Sequence, residues 1–167
     1  MLPVIPSEAQ GPDGVRLQLN EQTIKAGLVY NFLKYTTWPE GSDKGHLRVC
    51  LFGQDPENSY LASLEGQTAQ QSVISLMRKD SINDMADCSM VFVDASRKGS
   101  LPDLIAFLNG RHALTISDMN EFARLGGMVE LTMENKRVAL HINDKAISKA
   151  GLSIQGRLLR LAKLVSG

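Results

Sequence analysis

Cys88-Ser89-Met90-Val91-Phe92-Val93 is the stretch on which the fold turns. Its apolar residues run without a polar alternate, and a strand of that kind belongs to a sheet covered on both faces rather than to one with a wet side. Similar runs lie on either side of it. Leu47-Arg48-Val49-Cys50-Leu51-Phe52 stops at Gly53, Ser72-Val73-Ile74-Ser75-Leu76-Met77 follows, and Ala113-Leu114-Thr115-Ile116 comes later. Between these strands, Ser59 to Leu64 and Leu101 to Leu108 read as helices, and Ser117 or Asp118 caps a short helix through Phe122. Strands and helices thus alternate from residue 47 to residue 123, which predicts a largely parallel sheet joined by crossovers.

Beyond that point the pattern changes. Gly126-Gly127 opens Met128 to Met133, Glu134-Asn135-Lys136 turns, and Arg137 to Ile142 returns as a β-hairpin. The tail from Asp144 to Leu164 holds two helical pieces separated at Gly151, with Arg157, Arg160 and Lys163 near its C-terminal end, where they complement a helix dipole. The expected fold class is therefore α/β, a mostly parallel sheet flanked by helices, with a C-terminal β-hairpin and helical tail.

At the other end, Pro3, Pro6, Gly11, Pro12 and Gly14 punctuate residues 1–19, which read as a flexible arm. Ile24, Leu28, Phe32 and Tyr35 then recur at helical spacing, predicting a helix over 20–36 that Trp38-Pro39 ends. One α/β domain over 20–167 accounts for the rest. A chain of 167 residues can bury roughly 70% of the surface its unfolded form exposes, so it needs no metal to fold.

Eighteen basic residues balance eighteen acidic ones, so no broad field gathers nucleic acid or anionic lipid. The longest charge-free apolar run, near Ser89–Val93, is far short of the ~20 residues of a membrane helix. Met1-Leu2-Pro3-Val4-Ile5-Pro6 lacks the parts of a signal peptide. That leaves two readings, a cytoplasmic protein or a secreted one whose leader has been removed.

Catalytic patterns fail one by one. Gly53-Gln54-Asp55-Pro56 follows a strand where a dinucleotide fold carries several glycines, but it has one glycine and a proline. Asp94 stands where a receiver domain has its phosphoacceptor, yet the acidic cluster and late lysine of that chemistry are missing, so a capping or solvent-facing Asp is the better reading. His46, His112 and His141 are too far apart for a metal pair, and neither cysteine has a C-x-x-C partner. There is no G-x-S-x-G elbow. The single Trp38 and the few aromatics make no stacking platform interleaved with basic residues. Cys50 and Cys88 are either two small buried hydrophobes or a disulfide, and the bond would add ~3–4 kcal/mol in the chain-entropy model and imply an oxidising compartment.

Collinear segments carry a resemblance. The run from Lys25-Ala26 through Asn31-Phe32 to Trp38-Pro39 resembles a "K-A-x-x-x-x-N-F-x-x-x-x-x-W-P" signature. Leu47–Pro56 and Asp87-Cys88 resemble the two cysteine segments of the same family, and Leu114-Thr115-Ile116-Ser117-Asp118, Phe122-Ala123, Gly126-Gly127-Met128, His141-Ile142-Asn143, Ala150-Gly151-Leu152 and Leu158–Ala162 continue the match. The chain is similar, over about residues 22–165, to the YfiR family.

That resemblance implies a non-catalytic periplasmic regulator without cofactors. Such a protein represses a membrane diguanylate cyclase by binding its periplasmic part, and so controls cyclic di-GMP signalling and biofilm formation. It is itself sequestered by an outer-membrane lipoprotein, and it forms a homodimer. The resemblance also implies a disulfide between Cys50 and Cys88, and a hydrophobic partner-binding pocket at Val129, His141 and Ile147, formed by the strand after the double glycine, the strand carrying His141 and the next helix, that receives a segment of the lipoprotein. Taken singly, Val129 and Ile147 read instead as hairpin and helix core, and His141 stands where the family usually has an acidic residue. A second cysteine pair that some members carry near the double glycine is absent here. The alternative class is a periplasmic small-molecule sensor with its ligand beyond the carboxyl ends of the parallel strands. An unrecognised hydrolase or phosphoryl-transfer enzyme is the weakest reading.

Overall fold

A computed structural model describes residues 12–42 and 45–164. The first helix, α1, spans Pro12–Tyr35, and so begins eight residues before the expected start at Asn20. Proline has no N–H to lose in a first helical turn, so Pro12 opens the helix rather than extending the arm. The remainder of the expected arm, residues 1–11, lies outside the described residues.

Ten strands follow. β1 is Thr36–Thr37, β2 His46–Phe52, β3 Thr68–Ala69, β4 Ser72–Lys79 and β5 Met90–Val93, then β6 Leu114–Ser117, β7 Val129–Glu134, β8 Arg137–Ile142, β9 Ser153–Ile154 and β10 Ala162–Leu164. Three further helices, α2 Leu101–Leu108, α3 Asp144–Lys149 and α4 Gly156–Leu159, stand between them. Eight strands form one sheet in the order β10-β8-β7-β6-β5-β2-β4-β3, while β1 and β9 pair separately. The five strands β4, β2, β5, β6 and β7 are mutually parallel neighbours. β7 and β8 form the expected antiparallel hairpin. The tail departs from expectation at its end, because residues after α4 return to the sheet as β10, parallel to β8.

The sheet divides two cores, and the side-chain period of two assigns residues to each. Leu47, Val49 and Leu51 of β2, Met90 and Phe92 of β5 and Val129 and Leu131 of β7 face α1 and the C-terminal helices. Cys50 and Phe52, with Val91 and Val93, face the other way and pack on Leu101, Leu104 and Leu108 of α2. This is why the central strands read as unbroken apolar runs. On α1 the buried face runs through Ala26, Val29, Phe32 and Leu33. Ile24, placed on the apolar stripe by spacing, is 50% exposed. The helix is apolar on more than one side, and the tighter-packed set won.

One expected element is absent. After Ser117 the chain turns instead of forming a helix through Phe122. The Ser117 hydroxyl accepts the Met119 N–H, and Glu121 takes a positive φ of 72°, which stops helical propagation. The turn is held by the carboxylate of Glu130 on β7, which accepts the N–H groups of Glu121 and Ala123. Among the described residues no helix is long and apolar enough to cross a membrane.

Candidate functional site

The residues of the resemblance are pins of the fold. Lys25 is only 7% exposed; its Nζ lies 2.7 Å from Glu21 and 3.7 Å from Asp118, which follows β6. Asp118 also accepts the hydroxyl of Tyr60 at 3.0 Å. Burial first, then the neighbouring Asp118 carboxylate, push that hydroxyl far above the usual tyrosine range. The Trp38 indole N–H donates to the Ser89 carbonyl, and Ser89 Oγ accepts the Arg48 N–H, so the helix exit is tied to β2 and β5. Asn143 caps α3 by accepting the Ala146 N–H, and its amide donates to the Ala123 carbonyl. A Cβ at Gly127 would run into the ring of Phe122, so the second glycine of the pair is required by packing.

Cys50 and Cys88 are joined in a disulfide, Cα atoms 6.0 Å apart, between β2 and the loop entering β5. It lies in the core beneath α2.

The three residues carried over for partner binding do not form one surface. In the antiparallel hairpin Val129 pairs with Ile142 and Glu130 with His141, and paired residues share a face. Val129 and His141 therefore point to opposite sides. Val129 and Ile147 are 0% and 2% exposed and belong to the core beneath α1. His141 is half-buried on the outer face, Nε2 2.6 Å from Glu134 Oε2. With Glu121, Arg124 and Glu130 it borders a dimple of about 90 Å³.

A larger recess of about 220 Å³ opens between α2 and α3. Ile105 and Leu108 of α2, Gly126 and Met128 ahead of β7, and Ala146 and Lys149 of α3 line it. It exists because β6 and β7 pair over only two residues; ahead of that ladder, Met128 is held by its N–H donating to Thr115 Oγ1. Sequence reasoning did not find it, since its walls come from three distant segments. The elements flanking it are nonetheless those named by the resemblance, the strand after the double glycine and the helix after Asn143.

The crevice favoured by doubly wound folds, where strand order reverses between β2 and β5, is filled by the chain itself. Arg97 lies with its guanidinium carbon 5.0 Å from the centre of the Phe52 ring and bonds Asp80 at 2.6 Å. Gly53, at φ +91°, leaves room for it, because a Cβ there would stand 2.7 Å from Arg97. Arg78 completes the cluster with Asp55 and Asp80. Asp94 caps the turn after β5, accepting from the N–H and hydroxyl of Ser96, as a capping residue rather than an acceptor in an acidic cluster. His112 Nδ1 is 2.7 Å from the Ala150 carbonyl, far in sequence from His46 and His141. Among the described residues no three His, Cys, Asp or Glu side chains gather as a metal site.

A family model described as YfiR/HmsC-like matches residues 22–163. No curated protein matches the chain. Among solved structures, the ABC domain in complex with L-Trp from Streptococcus pneumonia has a similar fold, with a TM-score of 0.55 at 11% identity over 81% of this chain. The likeness spans 59% of that longer chain, and at such identity it concerns the fold alone.

Proposed function

Because the chain belongs to the YfiR/HmsC-like family, we propose that it is a non-catalytic periplasmic regulator that acts through protein contacts. It represses a membrane diguanylate cyclase by binding that enzyme's periplasmic part, thereby controlling cyclic di-GMP and biofilm formation. An outer-membrane lipoprotein sequesters it, and it works as a homodimer. The observation that carries this reading is the largely apolar recess between α2 and α3, lined by Gly126 and Met128 ahead of β7 and by Ala146 and Lys149 of α3, beside the elements that hold Val129 and Ile147. Such a recess suits one inserted apolar side chain. The small-molecule sensor is the weaker reading, because Arg97 occupies the crevice where its ligand would sit.

The test separates binding from folding. Ala106 lines the recess and is exposed on α2, so Ala106→Trp fills the recess without disturbing the core. His141→Glu probes the dimple on the outer face of the hairpin. Affinity for the cyclase's periplasmic part and for the lipoprotein is measured beside thermal unfolding. Ala106→Trp should weaken the lipoprotein more than tenfold, about 1.4 kcal/mol, with the unfolding temperature unchanged. Normal binding of both partners by both variants refutes the assignment. Ile147→Asp, which places a charge in the core, should unfold the chain rather than weaken a partner.

A further inference from the structure

A second, roomier recess lies between α1 and the 3₁₀ turn Tyr60–Leu64. Its volume is about 410 Å³, within the ~300–1,000 Å³ of small-molecule sites.

Its floor is Gly27, near the middle of α1. Glycine weakens a helix interior relative to alanine and so calls for a reason. Among the described residues the fold supplies none, since Gly27 has no positive φ and a Cβ there would meet none of their atoms within 4 Å. The space it leaves open faces outward.

The walls are two tethered tyrosines. Tyr30 donates its hydroxyl to the Thr68 carbonyl at 2.7 Å, and Tyr60 donates to Asp118 at 3.0 Å. Tyr60 is further fixed edge-to-face on Phe92, ring centres 5.8 Å apart. With the hydroxyls engaged elsewhere, the rings themselves border the space. The rim is polar, made by Gln22, Thr23, Ser63 and Gln67, whose amide donates to the Ser63 carbonyl, and among the described residues no Lys, Arg, Asp, Glu or His lines the recess. The cation nearest the Tyr60 ring, Lys25 Nζ at 5.9 Å from its centre, is already paired with Glu21 and Asp118.

That lining selects a chemistry. A charged ligand would surrender its hydration with no counter-charge to replace it, and a wholly apolar one would strip water from the amides and hydroxyls of the rim. A ring that is apolar on its C–H face and hydroxylated at its edge satisfies both. C–H groups meet the electron-rich faces of aromatic rings, and hydroxyls exchange hydrogen bonds with Gln, Ser and Thr. The geometry points to a binding site for a neutral saccharide of one or two rings.

Titrating the full chain with cellobiose and with N,N′-diacetylchitobiose, followed by amide chemical shifts, tests this. At least one sugar should give saturable millimolar shifts confined to residues 22–30 and 60–67. Gly27→Leu, which fills the floor, should weaken binding more than tenfold while leaving the unfolding temperature equal or higher. Gln67→Leu, at an exposed position, should weaken it with the fold intact. Absence of saturable shifts with both sugars overturns the proposal, as does undiminished binding in both variants. It is equally overturned if the sugars leave the wild type unmoved and Gly27→Leu alters only the sedimenting mass, which would make the recess a packing face between copies.

Discussion

Lys25 stands on the buried side of α1, one residue from the exposed Ile24, and there makes a polar bond inside the protein that the apolar spacing of the helix does not announce. Its carboxylate partners are only partly buried, with side-chain exposures of 31% for Glu21 and 27% for Asp118. The pair therefore falls between the ~0–1 kcal/mol of surface bridges and the 3–5 kcal/mol of breaking a buried one. Lys25→Ala should cost about 1–2 kcal/mol in urea unfolding, and Lys25→Met less, because the methionine restores packing. Asp80 gives a pH prediction. Hydrogen bonding by Arg78 holds its carboxyl below the ordinary carboxylate range, against a smaller opposing effect of desolvation. A lowered folded-state pKa means that stability is present above the unfolded value and lost as pH falls through the folded one. The Arg78–Asp80–Arg97 cluster should thus contribute from neutral pH down to about pH 4, then weaken under stronger acid. The group is exposed, so the effect is small. NMR titration should place the Asp80 midpoint below that of a peptide aspartate, and Asp80→Asn should flatten that part of the acid limb.

At the scale of elements, the hairpin, α2 and the parallel strands were legible because each has one dominant period. β8 spans Arg137–Ile142 and α2 spans Leu101–Leu108, as spacing predicts. The segment after β6 departs from the expected helix because a good capping residue, Ser117, is equally a turn residue, and Glu130 reaching across from β7 selects the turn. The junction of β8 and α3 rests on Asn143, which is buried and bonds in two directions. Asn143→Ala removes an N-cap worth about 1 kcal/mol and leaves the Ala123 carbonyl short of a donor, which costs about 1–3 kcal/mol more. A loss of ~2–4 kcal/mol is expected by chemical denaturation. A loss under half of that would mean that water replaces the amide.

For the whole molecule, the Cys50–Cys88 bond spans 38 residues of sequence and crosses the region from β2 to β5 at the centre of the sheet. In the chain-entropy model a loop of that length stabilises by ~4 kcal/mol. Cys50→Ala with Cys88→Ala should lower stability by about that amount, plus whatever the buried site loses in packing. Dithiothreitol should shift the wild-type denaturation midpoint and leave the variant's unchanged. The order of apolar runs, glycines and turn residues by itself determined the α/β class, the parallel strands and the hairpin, because strand and helix periods are local properties of the chain. Collinear motifs likewise brought out the family from the sequence alone. What only the tertiary structure decided is which residues face outward. Val129, His141 and Ile147 look equivalent as motif positions, yet the hairpin register turns His141 out and buries Val129, while α3 packs Ile147 into the core. The recess between α2 and α3 likewise exists only once β6 and β7 pair over two residues and no more, because a cavity is the space left among segments distant in sequence, and no local pattern encodes it.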